Sequence, residues 1–306
     1  MSTSTTISDK GVVYSQCPVC RSQNIGKALV AKDFTVSQQS FEIWHCSDCS
    51  LRFTQSVPNE EQIGAYYQSE EYISHSNTQK GLVSKLYQIV RDFTLQQKLK
   101  LMLQTSSKKS GNILDIGCGT GEFLATMKKA GWKATGLEPD EGARNQGIQN
   151  QGLDVFSPEQ LFELPKSQFD IITMWHVLEH VHRLDDYLSQ IHDLLKEDGW
   201  FFIAVPNYSS LDAEFYEKEW AAYDVPRHLY HFTPNSMKVL LDRFGFEVKR
   251  MKSMPFDSFY VSLLSEKYRH GGVRLISGFW QGLRSWAKST ASPEKCSSVL
   301  YLVRKK

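Results

Sequence analysis

The stretch Ile113-Leu-Asp-Ile-Gly-Cys-Gly-Thr-Gly-Glu-Phe-Leu124 decides the fold. An apolar run ends in Asp115 and opens into three glycines at alternate positions, Gly117, Gly119 and Gly121, before a helical pattern begins. Glycine has no Cβ, so the backbone can bend sharply there and bring N–H groups against a ligand at the start of the helix. Asp115 is a carboxylate at the carboxyl end of a strand, where ligands of open α/β sheets sit. A dinucleotide fingerprint G-x-G-x-x-G needs its third glycine at position 122, and that residue is Glu122, so the spacing is G-x-G-x-G.

Further on, Lys133-Ala-Thr-Gly-Leu137 reads as a second strand that ends in Glu138-Pro139-Asp140. An acid at that place can accept both hydroxyls of a ribose. These residues resemble the class I S-adenosylmethionine (SAM) methyltransferases, whose first motif and second-strand acid have this form and spacing. The resemblance runs across roughly residues 110–306. It implies that Asp115, Gly117, Cys118, Gly119 and Gly121 hold the methionine end of SAM and Glu138 the ribose. Pro139 then shapes the turn, Ser157 borders the adenine, and Trp175 and His176 complete the cofactor wall. A nicotinamide-binding domain competes with this reading, and the glycine spacing counts against it.

The chain has 306 residues and 41% hydrophobic content, enough for a real core and for two domains or one domain with a substantial appendage. With 35 basic against 34 acidic residues it carries no large field, and nucleic acid is not an expected partner. No apolar run approaches the roughly 20 residues of a membrane-spanning helix, and the polar start Met1-Ser-Thr-Ser-Thr-Thr-Ile has no secretory core. The expected location is the cytoplasm.

Four of the six cysteines form two pairs, Cys17-Pro-Val-Cys20 and Cys46-Ser-Asp-Cys49. Two C-x-x-C units in such a chain read as thiolate ligands of one tetrahedral, structural zinc ion. So short a segment builds little core alone, and a closed metal site supplies the missing stability. Cys118 and Cys296 read as free thiols.

The expected organisation is a disordered Ser/Thr-rich tail over 1–12, a zinc ribbon over 13–58, and a linker over 59–108. The linker holds Tyr66, Tyr67 and Tyr72 and then an amphipathic helix from Leu82 to about Gln104. The methyltransferase domain fills 109–306. Its fold class is α/β, a doubly wound, seven-stranded Rossmann-like sheet with helices on both faces and the small ribbon at its N-terminal side. A helical insertion over about 256–294 places Ile276, Phe279, Trp280, Leu283 and Trp286 on one helical face beside Arg269, Arg274, Arg284 and Lys288. A substrate lid, a subunit interface and a peripheral membrane contact through the 270–288 helix all fit that pattern, as does simple packing on its own domain.

Methyl transfer from a sulfonium is an in-line displacement, so the protein mainly aligns the acceptor and, where needed, removes its proton. The fourth strand ends in Trp175-His-Val-Leu-Glu-His180-Val-His182, and Pro226-Arg-His-Leu-Tyr-His-Phe-Thr233 follows the fifth. Both clusters fall on the ligand-bearing edge. The first resembles the E-x-x-E-H pattern of ubiquinone-pathway and small-RNA O-methyltransferases, with His176 in place of the first glutamate. That resemblance implies a second divalent metal at His176, Glu179 and His180, with His228 or His231 as a further ligand. The layout is also similar to deoxysugar C-methyltransferases, which begin with a four-cysteine zinc module. His180 and His231 are the candidate bases, and Tyr66, Tyr67, Arg227 and His228 the candidate acceptor wall, with Arg227 suited to a phosphate or carboxylate.

The expected function is methyl transfer from SAM to a hydroxyl, or else a carbon, of a small or carrier-linked acceptor such as a nucleotide sugar or surface-glycan precursor. The alternatives are a phenolic, quinone or lipid-linked acceptor, and a non-catalytic SAM-binding module docked through its ribbon.

Overall fold

The computed structural model describes residues 5–8, 11–68, 82–272 and 274–306. Within the stretch expected as a tail, β1 (Thr5–Ser8) pairs antiparallel with β2 (Gly11–Tyr14). The rest of the tail and Tyr72 of the linker fall outside the described residues.

The ribbon supplies β3 (Ile25–Lys32), β4 (Ser40–Cys46) and β5 (Arg52–Thr54). A short 3-10 turn, Ile63–Tyr67, follows, and then α1 (Leu82–Ser106). The α/β body runs β6 (Asn112–Ile116), α2 (Glu122–Lys129), β7 (Lys133–Leu137), α3 (Glu141–Gln151), β8 (Asp154–Phe156), β9 (Phe169–Trp175), α4 (Leu184–Leu194) and β10 (Leu195–Pro206). After it come α5 (Leu211–Tyr216), β11 (Tyr230–His231), α6 (Pro234–Arg243) and β12 (Phe246–Ser253). The insertion forms α7 (Pro255–His270) and α8 (Leu275–Ala291), and β13 (Ser298–Lys305) closes the chain.

Seven strands make one sheet in the order β12-β13-β10-β9-β6-β7-β8. β6 through β10 are parallel, and β13 runs antiparallel between β10 and β12. Alternate residues of these buried strands feed two cores, as a sheet covered on both faces requires. Leu114, Ile172, Phe201 and Tyr301 meet α4 and α6 on one face; Ile113, Ile171, Phe202 and Leu300 meet α1 and α2 on the other. Local sequence sets the helix starts: Thr233 and Ser236 form a reciprocal capping box with Pro234 in the first turn. The strand order reverses between β6 and β9, which opens the ligand crevice at their carboxyl ends.

The ribbon is not a separate body. β11, which follows the fifth parallel strand of the body, pairs with β5, and the second sheet runs β11-β5-β4-β3. Cys17, Cys46, Leu51 and Phe53 share one apolar core with Leu229, Tyr230 and Phe232. The insertion also leans on the ribbon, where Phe34 stacks on Tyr268 with centroids 4.4 Å apart. Among the described residues no helix is long and apolar enough to cross a membrane.

Candidate active site

The glycine turn has the geometry its sequence predicts. Gly117, Gly119 and Gly121 take φ of +74°, +55° and +85°, a left-handed region that favours glycine. A Cβ on Gly117 would lie 2.4 Å from Val177 and one on Gly121 2.4 Å from Leu153, so these two are fixed by packing. A Cβ on Gly119 would meet nothing within 4 Å. That is the open face of the turn. Cys118 turns the other way, its sulfur filling the space left by Gly136, so only its backbone remains available to a ligand.

Asp115 is buried, and its Oδ1 accepts from Thr173 Oγ1 at 2.5 Å. Burial pushes its carboxyl up to about 7, with Thr173 and Lys98 opposing. Glu138 ties the second strand to the turn: its carboxylate accepts from Gly119 N at 2.8 Å and from Asp140 N at 3.0 Å. Burial raises it too. Pro139 offers its carbonyl to Arg144 at 2.7 Å. Ser157 sits between β8 and the 3-10 turn that follows it, at the same sheet edge.

Lys98 of α1 is a residue that sequence reasoning missed. Its Nζ sits 3.7 Å from the centroid of Trp175, facing Asp115 and Asp257, and burial lowers its amine to about 8. Lys98, Trp175, Met254, Phe256 and Asp257 line a cavity of about 540 Å³ between α1 and the insertion. The sequence signal was a lysine inside the apolar stripe of an amphipathic helix, between Leu95 and Met102. The residues fit SAM: open backbone at Gly119, two carboxylates for the ammonium and ribose, and one ammonium for the methionine carboxylate.

His176 follows β9 at φ +57° and lies between two carboxylates, 3.0 Å from Asp257 and 3.6 Å from Glu179. Burial disfavours its charge, yet the two carboxylates paired with it outweigh that and raise it to about 10. Each of its nitrogens faces a carboxylate, so neither lone pair is turned toward a metal shared with Glu179 and His180. The expected set of His176, Glu179 and His180 is therefore corrected: the donor atoms that converge within 4.8 Å are those of Glu179, His180 and His228.

Glu179 is 0% exposed, and neither carboxylate oxygen has a hydrogen-bond partner among the described residues. His180 Nδ1 donates to the Arg227 carbonyl at 3.0 Å and His228 Nδ1 to the Ala222 carbonyl at 2.8 Å. Each Nε2 lone pair is thereby left free. Histidines pinned in this way and facing an orphan carboxylate have the donor chemistry of a divalent-cation site. Burial is the main cause that pushes the His180 imidazole down to about 4.

Two sequence expectations change. Arg227 is 1% exposed, and its guanidinium is consumed by Asp224, Asp33, Thr35 and the Tyr66 carbonyl, so no face is left for a substrate phosphate. His231 is 2% exposed inside the ribbon sheet, 3.0 Å from Thr54 Oγ1 and edge-on to Tyr223, so it cannot reach an acceptor as a base. Tyr67 does border the site, its hydroxyl 2.9 Å from His180 Nδ1, whereas the Tyr66 hydroxyl turns to Gln39.

In the ribbon, Cys17 and Cys49 sulfurs lie 3.5 Å apart, as do those of Cys20 and Cys46, and all four fall within 4.8 Å. A tetrahedral zinc with Zn–S near 2.3 Å wants sulfurs about 3.8 Å apart. Both knuckles turn alike, through Arg21 at φ +65° and Ser50 at φ +62°. The four residues fit a structural zinc.

The ubiquinone biosynthesis O-methyltransferase of Pelagibacter ubique is 31% identical over 39% of this chain and 49% of its own length, so the chain spans about half of that relative. The enzyme of the same name from Nitrosococcus oceani is 27% identical over 57% of this chain and 77% of its own. A SAM-dependent methyltransferase structure from Archaeoglobus fulgidus is similar over 72% of this chain and all of that one, at 20% identity and a TM-score of 0.46. The Methyltransferase domain family model matches residues 87–250. With more than half its length inside that model, this chain belongs to the SAM-dependent methyltransferase domain family.

Proposed function

We propose that this chain is a cytoplasmic O-methyltransferase that moves the methyl group of SAM to a hydroxyl of a small phenolic or quinone-type acceptor. A divalent cation held by Glu179, His180 and His228 assists the transfer. The observation that carries the reading is the buried Glu179 carboxylate, without a hydrogen bond, beside the imidazoles of His180 and His228, whose Nδ1 atoms are pinned to backbone carbonyls. His176 at 3.6 Å offsets part of the cost of burying this charge, and a cation ligated by the unbonded oxygens would offset the rest. The names of the relatives favour this acceptor class over a nucleotide sugar. The consumed guanidinium of Arg227 agrees, since it leaves no fixed cation for a diphosphate there.

In this reading Asp115 and Glu138 receive the ammonium and ribose of SAM at the glycine turn, and Lys98 the methionine carboxylate. SAM supplies an electrophilic methyl, and a cation at the second site lowers the pKa of an acceptor hydroxyl. Trp175 and Phe123, edge to face at 5.6 Å, wall off water beside the turn. Tyr67 and His180 border the acceptor. His176, clamped by Asp257 of the insertion, holds Glu179 in place by charge. Cys17, Cys20, Cys46 and Cys49 hold zinc and support the ribbon that backs this wall.

Methyl transfer from labelled SAM to catechol-type and quinol acceptors tests the proposal. The zinc-loaded protein, freed of loosely held cations, should regain activity with Mg²⁺ or Mn²⁺, and Glu179→Gln should lose at least about 100-fold in kcat with SAM affinity unchanged. Full activity of the Gln variant without added cation refutes the cation; absence of turnover with every hydroxyl acceptor refutes the catalytic reading.

A further inference from the structure

The insertion packs inside out. α8 meets α7 and α5 through its small residues: a Cβ on Gly278 would lie 2.9 Å from Leu263 and one on Gly282 2.8 Å from Phe259. Ser277 Oγ donates to Glu266 and Ser285 Oγ to Asp212. The large apolar residues point outward instead, with Leu275 67%, Ile276 78%, Phe279 53% and Trp280 63% exposed. A helix that served only its own domain would bury these and expose the serines and glycines.

At 3.6 residues per turn, Leu275, Phe279, Ile276 and Trp280 form one continuous arc, and Arg284, Lys288 and Arg274 form the arc next to it. α8 contains no acidic residue. Phe256 at the first turn of α7 is a further exposed aromatic, 51% exposed and edge-on to Phe93. An apolar arc bordered by cations alone matches a bilayer surface, where aromatic side chains enter the headgroup boundary and basic ones meet anionic lipid.

We propose that the exposed face of α8 docks this protein, peripherally and reversibly, on a membrane surface rich in anionic headgroups. The charge of the flanking arc selects that occupant: a second copy would have to place Arg274, Arg284 and Lys288 against an identical cationic arc across a two-fold axis, and like charges repel.

The test is co-sedimentation of the full chain with vesicles of phosphatidylcholine alone and of phosphatidylcholine mixed with phosphatidylglycerol. Binding to the anionic vesicles alone, falling as salt rises, is expected. Phe279→Ser/Trp280→Ser and Arg284→Glu/Lys288→Glu should each weaken it at least about tenfold; the charge-reversed pair should keep the thermal midpoint, and the Ser pair should lower it only slightly, by the loss of the Phe279–Phe259 ring contact. Failure of the wild-type chain to sediment with anionic vesicles at low salt overturns the proposal. So does equal binding by either variant, or a doubled solution mass that the Ser variant abolishes, which would assign the face to a second copy.

Discussion

Arg227 offers the sharpest test of how ribbon and methyltransferase body depend on each other. It lies in the sequence beside the acceptor histidines, yet its guanidinium is spent on Asp224 at 3.0 and 2.6 Å, Asp33 at 3.1 Å and the Tyr66 carbonyl at 2.8 Å. Arg227→Met would leave Asp33, a fully buried carboxylate of the ribbon, without its cation. Removing one partner of a buried pair costs ~3–5 kcal/mol, which for a chain of this size lowers the thermal midpoint by on the order of 10 °C. Burial alone would raise Asp33; hydrogen bonds from Ser37 and Thr35 and the charge of Arg227 outweigh it, and its pKa lies below the ordinary value. The clamp therefore stabilises fully above the unfolded aspartate range near about pH 4, and its contribution is lost as pH falls below that. Urea or thermal unfolding of wild type and Arg227→Met from pH 7 downward measures this, and the gap should close only under acid. A variant with an unchanged midpoint and a selectively raised KM for the acceptor would refute the reasoning and return Arg227 to the substrate.

Lys98→Met should weaken SAM binding about tenfold by calorimetry. The free protein should become more stable at pH 7, because a desolvated ammonium is removed; that gain should fade as pH rises through about 8 toward the ordinary lysine range. The glycines of the turn should separate by function: Gly121→Ala, with a Cβ 2.4 Å from Leu153, should cost about 2–3 kcal/mol of stability. Gly119→Ala should cost about 1 kcal/mol and act mainly on SAM affinity. Metal analysis should find one zinc per chain, and Cys46→Ser should lose it together with hydrogen-exchange protection at Tyr230 and His231, which pair with β5.

The α/β body was legible because its signals are local. The apolar run before Asp115, the alternate glycines, the acid at 138 and the Thr233-Pro234 cap each act within a few residues. The cysteine pairs were legible for the same reason. The acceptor side depends on partners far away in the chain. Nothing near Arg227 announces Asp33, and nothing near His231 shows that β11 joins the ribbon and buries it. His176 looked like a metal ligand because Asp257, in the insertion, could not be seen to occupy its Nε2 side. Lys98 was hidden by an otherwise regular amphipathic pattern.

The second sheet has a consequence for synthesis. Thr54 and His231, in neighbouring strands, are 177 positions apart in the chain. A ribosome-bound chain must keep the edge of β5 unpaired until most of the α/β body has emerged, whatever metal the knuckles have captured. An excised ribbon would keep that edge bare, an invitation to pair with other chains. The boundary near residue 58 is thus a poor place to cut, and a fragment that folds alone has to carry the 229–232 strand with it.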